Sequence, residues 1–117
     1  MPGYDEEEAF PYKTIGTDEA KQMIEAGARV IDVRQMDEWK RGHIAEATLL
    51  PIEGIYSFGK ALKELNIPAG EAVIFVCASG QRSASASEIA LVAGLNNVYN
   101  LANGMNGWMM RRYPVER

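Results

Sequence analysis

One short stretch of the sequence carries the residues best suited to chemistry. Four consecutive apolar residues, 73–76, precede Cys77, which is the single cysteine of the chain, and a polar loop with Gly80 and Arg82 follows it. A thiol is a nucleophile only as the thiolate. The loop amides, the N-terminus of a helix predicted from Ser83 and the charge of Arg82 all favour that anion. The stretch therefore predicts a cysteine nucleophile in an anion cradle, with a glycine that lets the loop fold inward.

The spacing between the cysteine and the arginine limits the guest that the loop can surround. Phosphatases of the tyrosine and dual-specificity kind place five residues between these two side chains, enough to encircle a tetrahedral phosphate. Here only four residues, Ala78, Ser79, Gly80 and Gln81, separate Cys77 from Arg82. A shorter loop favours a smaller bound group, such as one sulfur atom carried on the cysteine.

The remaining elements predict where this loop lies. Apolar patterning and turn residues place strands at 13–15, 28–33, 48–50, 72–76 and 97–101, with helices between them, including one from Thr17 as N-cap and one over 83–93. Strands that alternate with helices favour an α/β fold, with a mostly parallel five-stranded sheet and helices on both faces. Ligands bind beyond the carboxyl ends of such strands. Cys77 and the pair Asp32 and Arg34 all fall at such ends, so we expect them at one edge of the sheet.

Two further sets of polar residues allow a structural and a functional interpretation. Asp32 and Arg34 either tie neighbouring loops together or tune the thiol electrostatically. His43, the single histidine, either fixes a turn by bonding a loop carbonyl or acts as the base of a Cys–His pair. One histidine and one cysteine do not predict a zinc site. Packing, with Trp108 and Met109 in the core, explains the C-terminal methionines better than a metal site does.

Composition and charge exclude several classes of protein. The chain is 47% hydrophobic and 24% charged, as expected for one globular domain. The acidic residues 5–8 account for the whole net charge of −4, so no basic surface suggests nucleic-acid binding. No apolar run is long enough for a membrane span, and the acidic start does not resemble a secretory signal. We expect a flexible acidic tail over 1–11, a domain over 12–117 and, with one unpaired cysteine, a cytoplasmic location.

Three motifs, in order, resemble those of the single-domain rhodaneses, a family of sulfurtransferases. Residues 77–83 resemble the loop C-x-x-G-x-R-S. Residues 30–44 resemble the upstream signature D-V-R-x-x-x-E-[YFW]-x-x-G-H-I, and residues 98–108 resemble the closing V-Y-N-L-x-G-G-[IM]-x-x-W. The resemblance covers roughly residues 13–114 and implies the rhodanese-like three-layer α/β fold.

The resemblance also implies an activity. Cys77 would attack the outer sulfur of a donor such as thiosulfate and carry that sulfur as a persulfide to cyanide or a thiol, including a protein thiol. Arg82 would anchor the loop and attract an anionic donor, and Asp32 and Arg34 would support it. The persulfide would lie in a cradle made by the loop residues Ala78, Ser79, Gly80, Gln81 and Ser83. No metal, organic cofactor, nucleic acid or membrane is implied.

Some positions depart from the family pattern. Neutral Ala78 and Ser79 stand where thiosulfate-using members have basic residues, so we expect thiosulfate to be a poor donor. Asn103 replaces a glycine, and 45–51 lacks the usual glycine and asparagine, which leaves the conformation of those turns open. Two alternatives remain: a non-catalytic binding or regulatory module, and a phosphatase or arsenate reductase on the same fold.

Overall fold

The computed structural model describes residues 11–117, so the predicted acidic tail lies outside the described residues except for Pro11. Within this part of the chain, strands and helices alternate. The elements are β1 (Lys13–Ile15), α1 (Thr17–Glu25), β2 (Arg29–Asp32), α2 (Met36–Lys40), β3 (Ala47–Leu49), α3 (Ile55–Glu64), β4 (Val73–Val76), α4 (Gln81–Val92), β5 (Val98–Leu101) and α5 (Gly104–Met110).

The five strands form one sheet in the order β1-β5-β4-β2-β3, and every neighbouring pair is parallel. The predicted α/β fold with a parallel sheet is therefore confirmed. β4 is the central strand, with β5 on one side and β2 on the other. Because Asp32 pairs with Val76, the carboxyl ends of β2 and β4 lie side by side. This register brings the residue after β4, Cys77, next to the end of β2.

Two hydrophobic cores cover the two faces of the sheet, and each is closed by two helices. α3 and α4 pack on one face through Phe58, Leu62, Ala86 and Ala90. α1 and α5 pack on the other through Ala20, Ile24, Met105 and Trp108. The side chains of β4 alternate between these cores, and all four are buried. A strand with a core on both faces needs the uninterrupted apolar run that the sequence has there.

Three local predictions were wrong. The N-cap of α1 is Gly16, because Thr17 is already helical and its side chain is buried. α4 begins at Gln81 rather than Ser83, since Gly80 turns the chain directly into the helix. Met109 is 40% exposed and does not belong to either core. No helix among the described residues has the length and apolar character needed to cross a bilayer.

Candidate functional site

The sulfur of Cys77 lies at the centre of a tight loop at the carboxyl end of β4. Only 1% of the residue is exposed. The Gly80 amide donates a hydrogen bond to Sγ at 3.0 Å, and the Ser83 hydroxyl oxygen lies 3.3 Å from the same atom. Gly80 has a φ of +100°, in the region that glycine adopts without strain. This conformation turns the loop amides toward the sulfur.

Two opposing effects act on the pKa of Cys77. Burial is the largest single effect and raises the pKa. Hydrogen bonding of the thiolate form with the Ser83 side chain and with the amides of Ser83, Ser79 and Gly80 lowers the pKa, and together these bonds outweigh burial. The pKa of Cys77 is therefore lowered, and more thiolate is present near neutral pH than for an ordinary cysteine.

The first turn of α5 fixes the backbone of the cysteine loop through hydrogen bonds to its carbonyl groups. The Met105 amide donates to the Cys77 carbonyl at 2.8 Å, and the Asn106 amide donates to the Ala78 carbonyl at 3.0 Å. Gly104 approaches so closely that a Cβ there would lie 2.3 Å from the Cys77 carbonyl oxygen. Asn103, by contrast, has a φ of −105° that any residue adopts. The departure from the double-glycine pattern therefore falls at the position that does not need glycine.

A buried polar side chain on β5 fixes the other side of the loop. The Ser83 hydroxyl donates to Asn100 Oδ1 at 2.5 Å, and Asn100 Nδ2 donates to the Gly80 carbonyl at 3.2 Å. Asn100 is 5% exposed and Ser83 is fully buried. The sequence prediction missed Asn100, although a polar residue within an otherwise apolar strand was a signal that could have found it.

Arg82 forms a two-point salt bridge with a residue of α2. Its Nη1 and Nη2 atoms donate to the two carboxylate oxygens of Glu38 at 2.8 and 2.9 Å. The Gln35 amide also donates to Glu38, which closes a capping box at the start of α2. The hydrogen bond from Arg82 is the main cause that lowers the pKa of Glu38 to about 2. The charge of Arg82 is thus compensated by a carboxylate.

Asp32 and Arg34 form a second ion pair, which is buried. Arg34 donates to both Asp32 oxygens through Nε and Nη2, and the Arg34 amide adds a further bond. The same guanidinium donates to the Gly42 carbonyl at 2.8 Å. These bonds tie the end of β2 to the turn after α2, as the structural interpretation of the pair predicts.

His43 makes its contacts away from the sulfur. Its ring stacks on Trp39 with centroids 3.5 Å apart, and Nδ1 lies 2.9 Å from the Trp39 carbonyl oxygen. Its backbone forms an antiparallel bridge with Glu116. These contacts agree with the interpretation of His43 as a residue that fixes a turn.

Comparison with known proteins decides the family. The sequence matches the profile of the "Rhodanese-like domain" over residues 16–111. The chain belongs to the rhodanese-like family. It is 32% identical over 105 residues to thiosulfate sulfurtransferase GlpE of Pseudomonas fluorescens, covering 90% of this chain and 91% of the relative. It is 27% identical over 112 residues to thiosulfate sulfurtransferase 18 of Arabidopsis thaliana, covering 87% and 82%.

The fold of this rhodanese-like chain agrees with solved structures. The crystal structure of a rhodanese-related protein from Thermoplasma volcanium superposes with a TM-score of 0.76 at 30% identity, over 90% of this chain and 98% of that one. Human single-domain sulfurtransferase TSTD1 has the same fold, with a TM-score of 0.68 at 22% identity, over 84% and 96%. The resemblance to single-domain rhodaneses is therefore confirmed.

Of the other predicted cradle residues, one contributes a backbone amide to the cysteine, and two are described by contacts or positions elsewhere. Ser79 is exposed, but its amide is one of the donors that lower the pKa of Cys77. Ala78 turns its carbonyl to α5, and Gln81 is an exposed residue in the first turn of α4. Residues 11–117 hold no group of three or more His, Cys, Asp or Glu side chains arranged for a metal.

Proposed function

We propose that this rhodanese-like protein is a sulfurtransferase that moves sulfane sulfur through a persulfide on Cys77. The acceptor is a thiol in the cell and cyanide in an assay. One observation carries the proposal: the buried sulfur of Cys77 accepts a hydrogen bond from the Gly80 amide, inside a loop with four residues between cysteine and arginine. Fixed amide dipoles stabilise an anion there without reorganisation.

In the first half-reaction, the Cys77 thiolate attacks the outer sulfur of the donor. A new S–S bond forms, the donor's own bond to that sulfur breaks, and the leaving group departs with the electron pair; for thiosulfate this group is sulfite. The lowered pKa of Cys77 supplies the thiolate for this step. Since Cys77 is 1% exposed, the donor has to present its terminal sulfur at the end of a narrow group.

In the second half-reaction, an acceptor thiolate or cyanide attacks the terminal sulfur of the persulfide. The bond between the two sulfurs breaks and the Cys77 thiolate returns, so no oxidant or reductant is consumed. Cys77 is the single cysteine of the chain, so the acceptor is external. A covalent intermediate between two substrates predicts ping-pong kinetics. A reducing cytoplasm suits this chemistry, because it keeps the thiol free between cycles.

Charge near the loop favours donors other than thiosulfate. Arg82 already faces both oxygens of Glu38, and Arg34 already faces both oxygens of Asp32. A dianionic donor therefore meets no unpaired cation from these two arginines. We propose that donors with less charge, such as the persulfide of a small thiol, are used more efficiently than thiosulfate.

Intact-mass spectrometry tests the proposal. The protein is incubated with thiosulfate or with a small-molecule persulfide, and the mass is measured before and after addition of cyanide. We expect a gain of one sulfur atom that cyanide removes. The variant Cys77→Ser should gain nothing. Ser85→Ala, at an exposed position on α4, is the matched control and should behave as the wild type.

The same assay distinguishes the alternatives. Hydrolysis of a phosphate ester without any sulfur uptake would replace the proposal with a phosphatase. Absence of both reactions, in protein that is folded and whose cysteine is shown to be reduced, would leave a non-catalytic binding module.

A further inference from the structure

Four hydrogen bonds form a closed ring in which the cysteine sulfur is one member. The Gly80 amide donates to Cys77 Sγ, and the sulfur lies 3.3 Å from the Ser83 hydroxyl. The hydroxyl donates to Asn100 Oδ1, and Asn100 Nδ2 donates back to the Gly80 carbonyl. Cys77, Ser83 and Asn100 are all buried, so water does not substitute for a missing partner.

The orientation of the Asn100 amide is set by the ring. The Gly80 carbonyl only accepts hydrogen bonds, so the group that faces it has to be the NH₂ of the side chain. The oxygen, Oδ1, therefore faces Ser83. A rotated amide would place two acceptor oxygens against each other in a buried site, which is unfavourable.

The hydroxyl of Ser83 has one proton and two acceptors that compete for it. When the proton lies on the bond to Asn100, a lone pair of the Ser83 oxygen faces the sulfur. That arrangement suits a thiol, whose S–H donates to the oxygen. It does not suit a thiolate, which needs the hydroxyl to turn and donate to sulfur. When the hydroxyl turns, the buried Asn100 Oδ1 loses its donor.

We propose that Asn100 is a positioning residue that holds the Ser83 proton away from Cys77 while the cysteine is a thiol and releases it when the thiolate forms. The inference rests on the proposed function, since it assigns control of the nucleophile's ionisation to a residue that does not touch the sulfur. Asn100 thereby stabilises the resting thiol and opposes ionisation.

Within residues 11–117, the charged side chains around the loop are paired with one another and do not hydrogen-bond the cysteine sulfur. On α4, Arg82 is paired with Glu38 of α2, and beyond β2, Arg34 is paired with Asp32. β5 and the start of α5 present the uncharged Asn100 and backbone amides. Within the described chain, the hydrogen bonds to Sγ come from neutral groups, so a change in the hydroxyl orientation acts directly on ionisation.

The rate of alkylation of Cys77 by iodoacetamide, measured against pH without any sulfur donor, tests the inference. Asn100→Leu removes the acceptor that competes for the Ser83 proton. The pH midpoint of the alkylation rate should therefore fall by about one pH unit, which corresponds to about tenfold more thiolate at pH values below the midpoint. Asn100→Asp keeps the acceptor and adds negative charge, so the midpoint should rise. If Asn100 had a purely structural role, the alkylation midpoints of both variants would shift in the same direction.

Coupling between Asn100 and Ser83 is the decisive measurement. Ser83→Ala should raise the midpoint, because the thiolate loses its hydroxyl donor. In that background, adding Asn100→Leu should change nothing further. An equal shift from Asn100→Leu with and without Ser83, or an unchanged midpoint in the single variant, would overturn the inference.

The S–H stretching band in the infrared gives a second readout, and it belongs to one residue because the chain has a single cysteine. The band should move to the frequency of a free thiol in Ser83→Ala; a wild-type band already at that frequency would overturn the inference. Asn97→Leu is the matched control, since Asn97 bonds the Gly70 carbonyl away from the sulfur and should leave midpoint and band unchanged. Sulfur uptake, measured separately by mass, reports on the proposed function and does not depend on these results.

Discussion

Glu38 and Arg82 lie 44 positions apart in the sequence and form a two-point salt bridge next to the cysteine loop. Parallel N–H···O bonds between a guanidinium and a carboxylate fix both orientation and distance. The pair joins α2 to the first turn of α4. It also cancels the charge of the arginine that the family resemblance assigns to attraction of an anionic donor.

Removing the charge of Glu38 should improve the use of thiosulfate. Glu38→Gln keeps a side chain that caps the start of α2 but frees the charge of Arg82. We expect kcat/KM for thiosulfate to rise by about tenfold at low ionic strength and the gain to shrink with added salt. Asp37→Asn, an equal charge change at the neighbouring exposed position, is the control and should have little effect. An equal gain in both variants would refute a specific role for Glu38.

The same pair should make stability depend on pH in the acid range. The pKa of Glu38 is about 2 in the folded protein, below the value of about 4.3 for a free glutamate. Its contribution to the free energy of unfolding is therefore fully present above about pH 5 and is lost as the pH falls toward 2. Urea unfolding of wild type and Glu38→Gln should show a stability difference that narrows from pH 6 to pH 2.5. A difference that is constant over this range would contradict the prediction.

The buried pair of Asp32 and Arg34 should matter more for stability than an exposed pair. Arg34→Gln leaves the Asp32 carboxylate buried without its cation, so we expect a loss of about 3–5 kcal/mol. Arg29→Gln breaks the half-exposed bridge to Glu71 at the other end of the same strand and should cost at most about 1 kcal/mol. Denaturant unfolding of both variants measures the contrast. Equal losses would contradict it.

Two glycines with nearly the same backbone conformation should respond differently to substitution. Gly80 has a φ of +100° and Gly94 a φ of +106°. A Cβ at Gly80 would lie 2.2 Å from the Ala102 carbonyl oxygen, whereas a Cβ at Gly94 meets nothing within 4 Å. Gly94→Ala should cost about 1–2 kcal/mol from strain alone. Gly80→Ala should cost at least about 2 kcal/mol more, as measured by denaturant unfolding. It should also raise the pH midpoint of Cys77 alkylation to that of an ordinary cysteine, because the loop amides no longer face the sulfur.

His43 should be dispensable for sulfur transfer. Its ring stacks on Trp39 and its Nδ1 contacts the Trp39 carbonyl oxygen, so His43→Gln should lose about 1 kcal/mol of stability. Sulfur transfer and its pH profile should stay close to those of the wild type. A loss of about 100-fold or more, the usual effect of removing a general base, would restore the Cys–His hypothesis.

Local patterns in the sequence predicted most of the fold. The apolar run before Cys77 predicted a strand covered on both faces, and β4 has this position. The three motifs predicted the family that the profile match confirms. Errors occurred where a residue serves a tertiary contact, as at Thr17, whose side chain is buried instead of capping the helix.

Long-range contacts of the site could not be predicted in the same way. Asn100 reaches Ser83 only because β5 is the neighbour of β4, and periodicity does not determine the order of strands in a sheet. The upstream motif contains Glu38, but its pairing with Arg82 depends on how α2 packs beside the loop. The residues from Cys77 to Ser83 are contiguous, so their motif can be recognised without knowing the order of the strands.

The bonds from α5 and β5 to the cysteine loop have a consequence for biosynthesis. The amides of Met105 and Asn106 and the side chain of Asn100 all follow Cys77 in the chain. During synthesis from the N-terminus, Cys77 leaves the ribosome before its loop can be held in place. Until the last strand and helix have joined the sheet, the loop lacks the contacts that hold its amides around the sulfur. The geometry of the cysteine site is therefore complete only when the whole domain has folded.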